Sequence, residues 1–183
     1  MEYKEEFPFV PTIIEPKVFG DERGYFMESW KRDDPRYEYI QWAQENESCS
    51  KRGVMRGYHW QIAPYEQCKL VRVVKGRVID YAVDIRVGSP TFGKRWEVEL
   101  SGENKKQFLI PAGFAHCFIA LEDDTIFQYK CHAPYSKEHE RNFNVNDYPI
   151  PDLGVEIIQS EKDANAPHLK DISTSDLSKY FES

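Results

Sequence analysis

Strict alternation of side-chain types over residues 78–85 is the feature that most limits what this chain can fold into. One set of alternate positions is apolar, namely Ile79, Tyr81, Val83 and Ile85, and the other is small or charged, namely Val78, Asp80, Ala82 and Asp84. A period of two places successive side chains on opposite faces of a β-strand. We therefore predict a strand with one face against a core and the other toward a cavity or solvent.

Further short strands are expected on both sides of this segment, with turn residues between them. The candidates are Lys69–Val74, Trp96–Leu100, Gln107–Ile110, Cys117–Leu121 and Thr125–Cys131. Many short strands without ten-residue helical periods between them favour an all-β sandwich or jelly roll over a parallel sheet. Only minor helices are predicted, at Asp33–Ala43 and at Asp176–Tyr180 with Ser175 as its cap. No repeat or linker divides the chain, so residues 1–183 are expected to form a single domain.

Charge and cysteine content exclude several functional classes. The formal net charge is −7 over 183 residues, which argues against sequence-independent binding to nucleic acid. No stretch approaches the roughly 18 apolar residues of a membrane span, and the charged start does not resemble a signal peptide, so a cytoplasmic location is expected. The four cysteines form no C-x-x-C pair, so neither a zinc ribbon nor a redox motif is indicated.

Residues 53–69 place three functional side-chain types close together beside two glycines. Arg56 and Lys69 can hold phosphates or an oxyanion, and His59 is suited to proton transfer near neutral pH. Side chains three apart on a regular strand point to opposite faces, so Arg56 and His59 can serve one site only if the backbone bends, which Gly57 permits. The alternative is scattered surface charges around a structural histidine.

A second histidine, His116, follows the turn at Pro111-Ala-Gly113 and precedes an apolar strand. Two histidines on adjacent strands of a small barrel would suggest a cupin-type metal site. The rest of that ligand set is missing, because no His-x-His occurs and the nearest acidic residue after His59 is Glu66. Divalent sites usually need three or more protein ligands, so no metal is expected.

Eight collinear runs, from about Ile14 to Lys170, resemble the dTDP-4-dehydrorhamnose 3,5-epimerase family. They are Phe19–Glu28, Gln44–Asn46, Gly53–Gln61, Lys69–Gly76, Asp84–Gly93, Ile110–His116, Tyr129–Lys130 and Ser160–Asp163. The resemblance implies a cupin-like jelly-roll β-barrel that pairs as a homodimer and uses no metal or organic cofactor. It also implies epimerisation at C3 and C5 of a dTDP-4-keto-6-deoxy sugar, from dTDP-4-dehydro-6-deoxyglucose to dTDP-4-dehydro-L-rhamnose.

The resemblance also assigns roles to individual residues. It makes His59 the general base, Asp163 the carboxylate that orients it, Tyr129 the proton donor and Lys69 the cation beside the keto oxygen. Substrate-contacting positions fall on Arg23, Glu28, Gln44, Asn46, Arg56, His116, Glu140 and Lys162, and Tyr135 matches an aromatic residue that stacks on thymine. In the family, Arg23 and Glu28 reach the site of the neighbouring subunit.

The chain departs from the family pattern at Trp60, where a smaller aromatic residue is commoner, and between Asn142 and Ile158, which lacks the usual tryptophans. Three alternatives remain open at this point. One is a monofunctional C3 epimerase or a 4-keto sugar isomerase on the same barrel, another is a metal-dependent cupin, and the third is a catalytically silent sugar-nucleotide-binding protein.

Overall fold

A computed structural model describes residues 10–180, and these residues form twelve β-strands with little helix. The strands are β1 Thr12–Ile14, β2 Val18–Asp21, β3 Gly24–Met27, β4 Gln44–Ser50, β5 Met55–Gln61, β6 Lys69–Lys75, β7 Arg77–Asp84, β8 Arg95–Ser101, β9 Gln107–Ile110, β10 Phe114–Ala120, β11 Thr125–Cys131 and β12 Glu140–Phe143. One α-helix, α1, spans Glu161–Ala164, and 3-10 turns lie at Val145–Asp147, Leu169–Asp171 and Thr174–Asp176.

Ten of these strands build two antiparallel five-stranded sheets. The first sheet has the order β1-β9-β6-β11-β4, and the second has the order β12-β5-β10-β7-β8. Apolar side chains from both sheets form a common core, in which Phe108 and Phe127 of the first sheet meet Phe114 and Phe118 of the second. Two antiparallel sheets packed face to face with crossing connections are a jelly roll, so the all-β, cupin-like prediction is confirmed.

The strand predictions hold closely because alternation is a local signal. β9 and β11 have the predicted bounds, β6 ends one residue later, and β8 is one residue longer at each end. The predicted strand Cys117–Leu121 begins earlier, at Phe114, and ends at Ala120.

Strand β7 is buried on both faces, so the option of a solvent-facing side is wrong. Asp80 and Asp84 are fully buried, with Asp80 beside the cavity described below. The opposite face, with Tyr81 and Val83, is covered by side chains from residues 143–177 that pack over the outside of the second sheet. That covering comes from a distant segment, and the alternation within β7 carries no information about it.

Both helix predictions are wrong. Instead of a helix, residues 31–40 form successive turns and residues 41–43 are irregular. The Asp34 carboxylate accepts a hydrogen bond from the Arg36 backbone and binds its guanidinium, and such a local bond competes with a helix. Tyr37 and Ile40 are nevertheless buried, against Leu70 and Leu109 on the outside of the first sheet.

At the C-terminal end, the helical turn is Thr174–Asp176 and its cap is Ser173, which accepts a hydrogen bond from Ser175 N. Residues 177–180 are extended instead of helical. Lys179 forms a parallel bridge with Val87, and Tyr180 N donates to Val87 O at 3.0 Å. Among residues 10–180, no helix is both long and apolar enough to cross a membrane.

Candidate active site

A β-bulge in β5 brings Arg56 and His59 to the same face of the second sheet. His59 pairs with His116 of β10, and Arg56 pairs with Phe118, so two residues of β5 face one residue of β10 between these pairs. The extra residue reverses the alternation locally. Both residues therefore line one cavity, and the bulge supplies the backbone bend that a shared site requires.

This cavity lies between the two sheets and has a volume of about 120 Å³. It combines cationic, titratable and aromatic groups from both sheets. Its lining residues are Glu47, Ser48, Arg56, Gly57, His59, Lys69, His116, Phe118 and Tyr129. His59 belongs to the second sheet and Tyr129 to the first, so these two groups approach the enclosed space from opposite walls.

Asp163 holds His59 through a short hydrogen bond. The distance from His59 Nε2 to Asp163 Oδ1 is 2.6 Å, and Asp163 is buried. Burial alone would raise the pKa of Asp163, but hydrogen bonds from His59, the Gly57 backbone and Ser160 lower this pKa to about 2. The carboxylate is therefore ionised near neutral pH and can stabilise a protonated imidazole.

Gly57 and Ser160 let Asp163 reach the histidine. A Cβ atom at Gly57 would lie 3.2 Å from Asp163 Cγ, so the absence of a side chain permits this close approach. Ser160 caps α1 by accepting a hydrogen bond from Asp163 N at 3.1 Å. The cap fixes the turn that directs the carboxylate toward β5.

Glu140 contacts His59 and two further predicted site residues, Tyr135 and Lys162. Its Oε1 lies 3.8 Å from His59 Nδ1, and its Oε2 accepts hydrogen bonds from Tyr135 Oη, at 3.0 Å, and from Lys162 Nζ. Burial favours a higher pKa for Glu140, but Lys162, His59 and Tyr135 outweigh it and lower the pKa.

Gln44 connects this group to β4. Its side-chain oxygen accepts from Tyr135 N at 2.9 Å, and its amide nitrogen donates to Asn46 Oδ1 at 2.8 Å. Asn46 in turn pairs with Tyr129 across the β4–β11 ladder. Gln44 and Asn46 on β4 therefore lie between Tyr135, expected at the nucleotide base, and Tyr129, expected at the sugar.

Lys69 and His116 form the buried end of the cavity. Lys69 is 8% exposed, and burial lowers its pKa, an effect that Cys131, Asp80 and Glu140 oppose. His116 Nε2 lies 2.9 Å from Asp80 Oδ2. Burial lowers the pKa of His116 and raises the pKa of Asp80, so each group depends on the other for its charge.

Sequence reasoning missed Asp80 as a site residue, although the polar positions of the β7 alternation were a signal for it. Within residues 10–180, no group of three or more histidine, cysteine or acidic side chains is arranged to hold a metal ion.

Two predicted residues, Arg23 and Glu28, are not brought to this cavity. Arg23 lies in the turn between β2 and β3, exposed and paired with Asp21, and Glu28 follows β3 at the surface. The β2–β3 hairpin pairs with no other strand in the described part of the chain, and it exposes Phe19, Tyr25 and Phe26. Its charged residues are therefore separated from the other predicted site residues within one chain.

The residues that differ from the family pattern, Trp60 and the segment from Asn142 to Ile158, lie mainly outside the cavity. Trp60 packs on Phe143 in the cluster on the outer side of the second sheet, and its Nε1 donates to Asp176 O at 2.9 Å. Val145 belongs to the same outer cluster. The residues that line the cavity are those that match the family runs, apart from Glu47, Ser48 and Phe118.

Comparison with known proteins identifies the family. The model of the dTDP-4-dehydrorhamnose 3,5-epimerase family matches residues 11–171. A dTDP-4-dehydrorhamnose 3,5-epimerase of Shigella flexneri is 51% identical over 150 residues, which cover 80% of this chain and 82% of that relative.

Solved structures agree with this assignment. The 3,5-epimerase of Legionella pneumophila, in complex with dTDP-4-keto-L-rhamnose, is 44% identical with a TM-score of 0.86, and the match covers 94% of each chain. A 3′-monoepimerase of Streptomyces bikiniensis, a double mutant with a histidine and a tyrosine replaced and dTDP bound, is 30% identical with a TM-score of 0.85, covering 95% of this chain and 92% of that one. With its jelly roll and its match over nearly the whole described chain, the protein belongs to the dTDP-4-dehydrorhamnose 3,5-epimerase family.

Proposed function

We propose that this chain inverts C3 and C5 of a dTDP-4-keto-6-deoxy sugar and converts dTDP-4-dehydro-6-deoxyglucose to dTDP-4-dehydro-L-rhamnose. The observation that carries the proposal is the placement of His59 and Tyr129 on opposite walls of one cavity that also contains Lys69. Hydrogens on C3 and C5 flank the C4 carbonyl, so removal of either one gives an enolate. Inversion then requires a base on one face of the sugar and an acid on the other.

His59 acts as the base in this proposal. Its bond to ionised Asp163 fixes the imidazole orientation and stabilises the imidazolium that forms when a proton is taken from carbon. Tyr129 then returns a proton to the opposite face of the enolate. Burial raises the pKa of the Tyr129 phenol, which keeps the proton on its oxygen until charge has built up on the substrate.

Lys69 and His116 stabilise the enolate oxygen at C4. A preorganised cation in a cavity with little water stabilises developing negative charge more than it would in solution. Asp80 maintains the local charge balance by hydrogen bonding to His116.

The nucleotide end consists of the cluster around Glu140. In this proposal Tyr135 stacks on thymine, Gln44 and Asn46 contact the nucleotide, and Arg56 and Lys162 bind the diphosphate. Arginine and lysine supply the local positive charge that a diphosphate needs in a chain with a formal net charge of −7.

The proposal includes a cytoplasmic homodimer of single-domain chains, in which the β2–β3 hairpin carries Arg23 and Glu28 into the partner's site. The exposed aromatic side chains of that hairpin and its lack of other strand partners in residues 10–180 support this role. Burial of such an apolar surface between two identical chains is typical of closed symmetric dimers.

The proposed reaction is tested by incubating the protein with dTDP-4-keto-6-deoxyglucose in heavy water and following deuterium at each carbon. Both C3 and C5 should exchange, and the product should have both centres inverted. Exchange and inversion at C3 alone would instead support the monofunctional alternative. This alternative is relevant because the chain is also similar to a 3′-monoepimerase. Absence of exchange at both carbons would contradict the epimerase proposal for this substrate.

Shared active sites are tested by complementation between two inactive variants. An Arg23→Ala chain keeps His59, and a His59→Ala chain keeps Arg23, so a mixed dimer has one intact site and one doubly altered site. Random pairing should therefore restore up to roughly a quarter of wild-type activity per site. Activity is measured after subunit exchange has been verified by mass. An absence of recovery in verified mixed dimers would exclude shared sites.

A further inference from the structure

The cavity-facing side of β4 carries four polar residues, of which one lacks a partner. Burial alternates along the strand, and the inward positions are Gln44, Asn46, Ser48 and Ser50. Gln44 and Asn46 bond to each other, and Ser50 Oγ accepts from Arg56 Nη2 at 3.4 Å. Ser48 Oγ is buried and has no hydrogen-bond partner among the residues that the structure describes.

An unpartnered buried hydroxyl is unfavourable, because it has lost its hydrogen bonds to water without replacement. Such groups are few in folded proteins, and each one needs a physical reason. Ser48 lines the cavity together with His59, Lys69 and Tyr129. A ligand in this cavity can supply the missing partner.

The strand registers place Ser48 near Arg56. Ser48 pairs with Phe127, and the Phe127 ring stacks on Phe118 with centroids 4.1 Å apart. Phe118 pairs with Arg56 across the bulge in β5. Arg56 also contacts Ser50, which lies two residues from Ser48 on the same face of β4. The Ser48 hydroxyl and the Arg56 guanidinium therefore lie in the same part of the cavity.

A hydroxyl donor beside a guanidinium is suited to an anionic oxygen. We propose that Ser48 donates a hydrogen bond to a diphosphate oxygen of the bound nucleotide, beside Arg56. This inference rests on the proposed function, since it assumes a nucleoside diphosphate ligand. A sugar hydroxyl is the other group that Ser48 Oγ could contact, but Arg56 makes the anionic oxygen the better match.

The test is calorimetric titration of Ser48→Ala with dTDP and with thymidine, which lacks the phosphates. Loss of one hydrogen bond to a charged group should weaken dTDP binding by about 10- to 100-fold. Thymidine binding should change by less than about twofold, because thymidine makes no phosphate contact. The ligand-free variant should melt no earlier than the wild type, since the lost hydroxyl has no partner in the protein.

Cys49→Ala is the matched control, because Cys49 is the next residue of β4 and is exposed on its other face. It should leave dTDP binding unchanged. If Ser48→Ala bound dTDP as tightly as the wild type, the inference would be wrong. Unchanged dTDP binding together with a raised KM for the dTDP-sugar would mean that Ser48 contacts the sugar instead of the diphosphate. Equal losses for dTDP and thymidine with an earlier melt would indicate a structural role and also overturn it. If the wild type did not bind dTDP, the proposed function itself would fail.

Discussion

Replacing His59 with Asn should lower deuterium incorporation at C3 and at C5 together, by about 10³- to 10⁴-fold, the upper range for loss of a positioned base. One imidazole serves both carbons in the proposed mechanism, so the two rates should fall in parallel. The measurement is the rate of deuterium incorporation at each carbon, followed by NMR in heavy water. Binding of dTDP should persist, because His59 is placed at the sugar.

The chain contains a matched control for this substitution. His168 forms a similar pair with Asp147, with 2.7 Å between Nδ1 and Oδ1, but it lies at the surface away from the cavity. His168→Asn should keep the wild-type exchange rate. Retention of more than a few per cent of exchange in His59→Asn would exclude His59 as the base. Loss at only one carbon would mean that the two centres use different bases.

Replacing Tyr129 with Phe should separate proton removal from proton return. The variant keeps His59, Lys69 and the packing of the ring on Phe127, and it removes only the phenolic proton. The enolate can still form, and it is then reprotonated mainly from the face that lost the proton. Deuterium exchange should persist, while net inversion falls by about 10²- to 10⁴-fold, as expected for loss of a positioned acid.

Tyr58→Phe is the corresponding control. Tyr58 precedes His59 in β5 but points to the outer cluster, stacks on Phe143 and has a buried hydroxyl without a hydrogen-bond partner in the described residues. Its replacement should change neither exchange nor inversion. If inversion in Tyr129→Phe stayed within about threefold of wild type, well short of the loss of a general acid, Tyr129 would not be the donor and another acid or water would have to serve.

The positions of the central strands β6 to β11 and the family were readable from the sequence, because both depend on local patterns. The bounds of β9 and β11 agree with the sequence prediction to the residue. Alternation of apolar and polar residues marks β11, since successive strand side chains point to opposite faces. The helix expected at residues 33–43 did not form, because Asp34 bonds locally to Arg36 and turns carry Tyr37 and Ile40 onto the first sheet. That sheet surface is built by segments distant in sequence, so the local residues did not reveal it.

The geometry of the site was decided by the tertiary structure. Arg56 and His59 share a cavity only because β5 bulges where it pairs with β10, and that pairing joins segments about sixty residues apart. Asp163 reaches His59 across 104 residues of chain, through a capped turn that packs against Gly57. Ser48 and Asp80 lie outside the runs that resemble the family. Their roles depend on the residues that the two sheets place next to them. Hydrogen-bond partners and burial are set by chain segments that meet only after folding, so a linear pattern could name the chemical groups but not their arrangement.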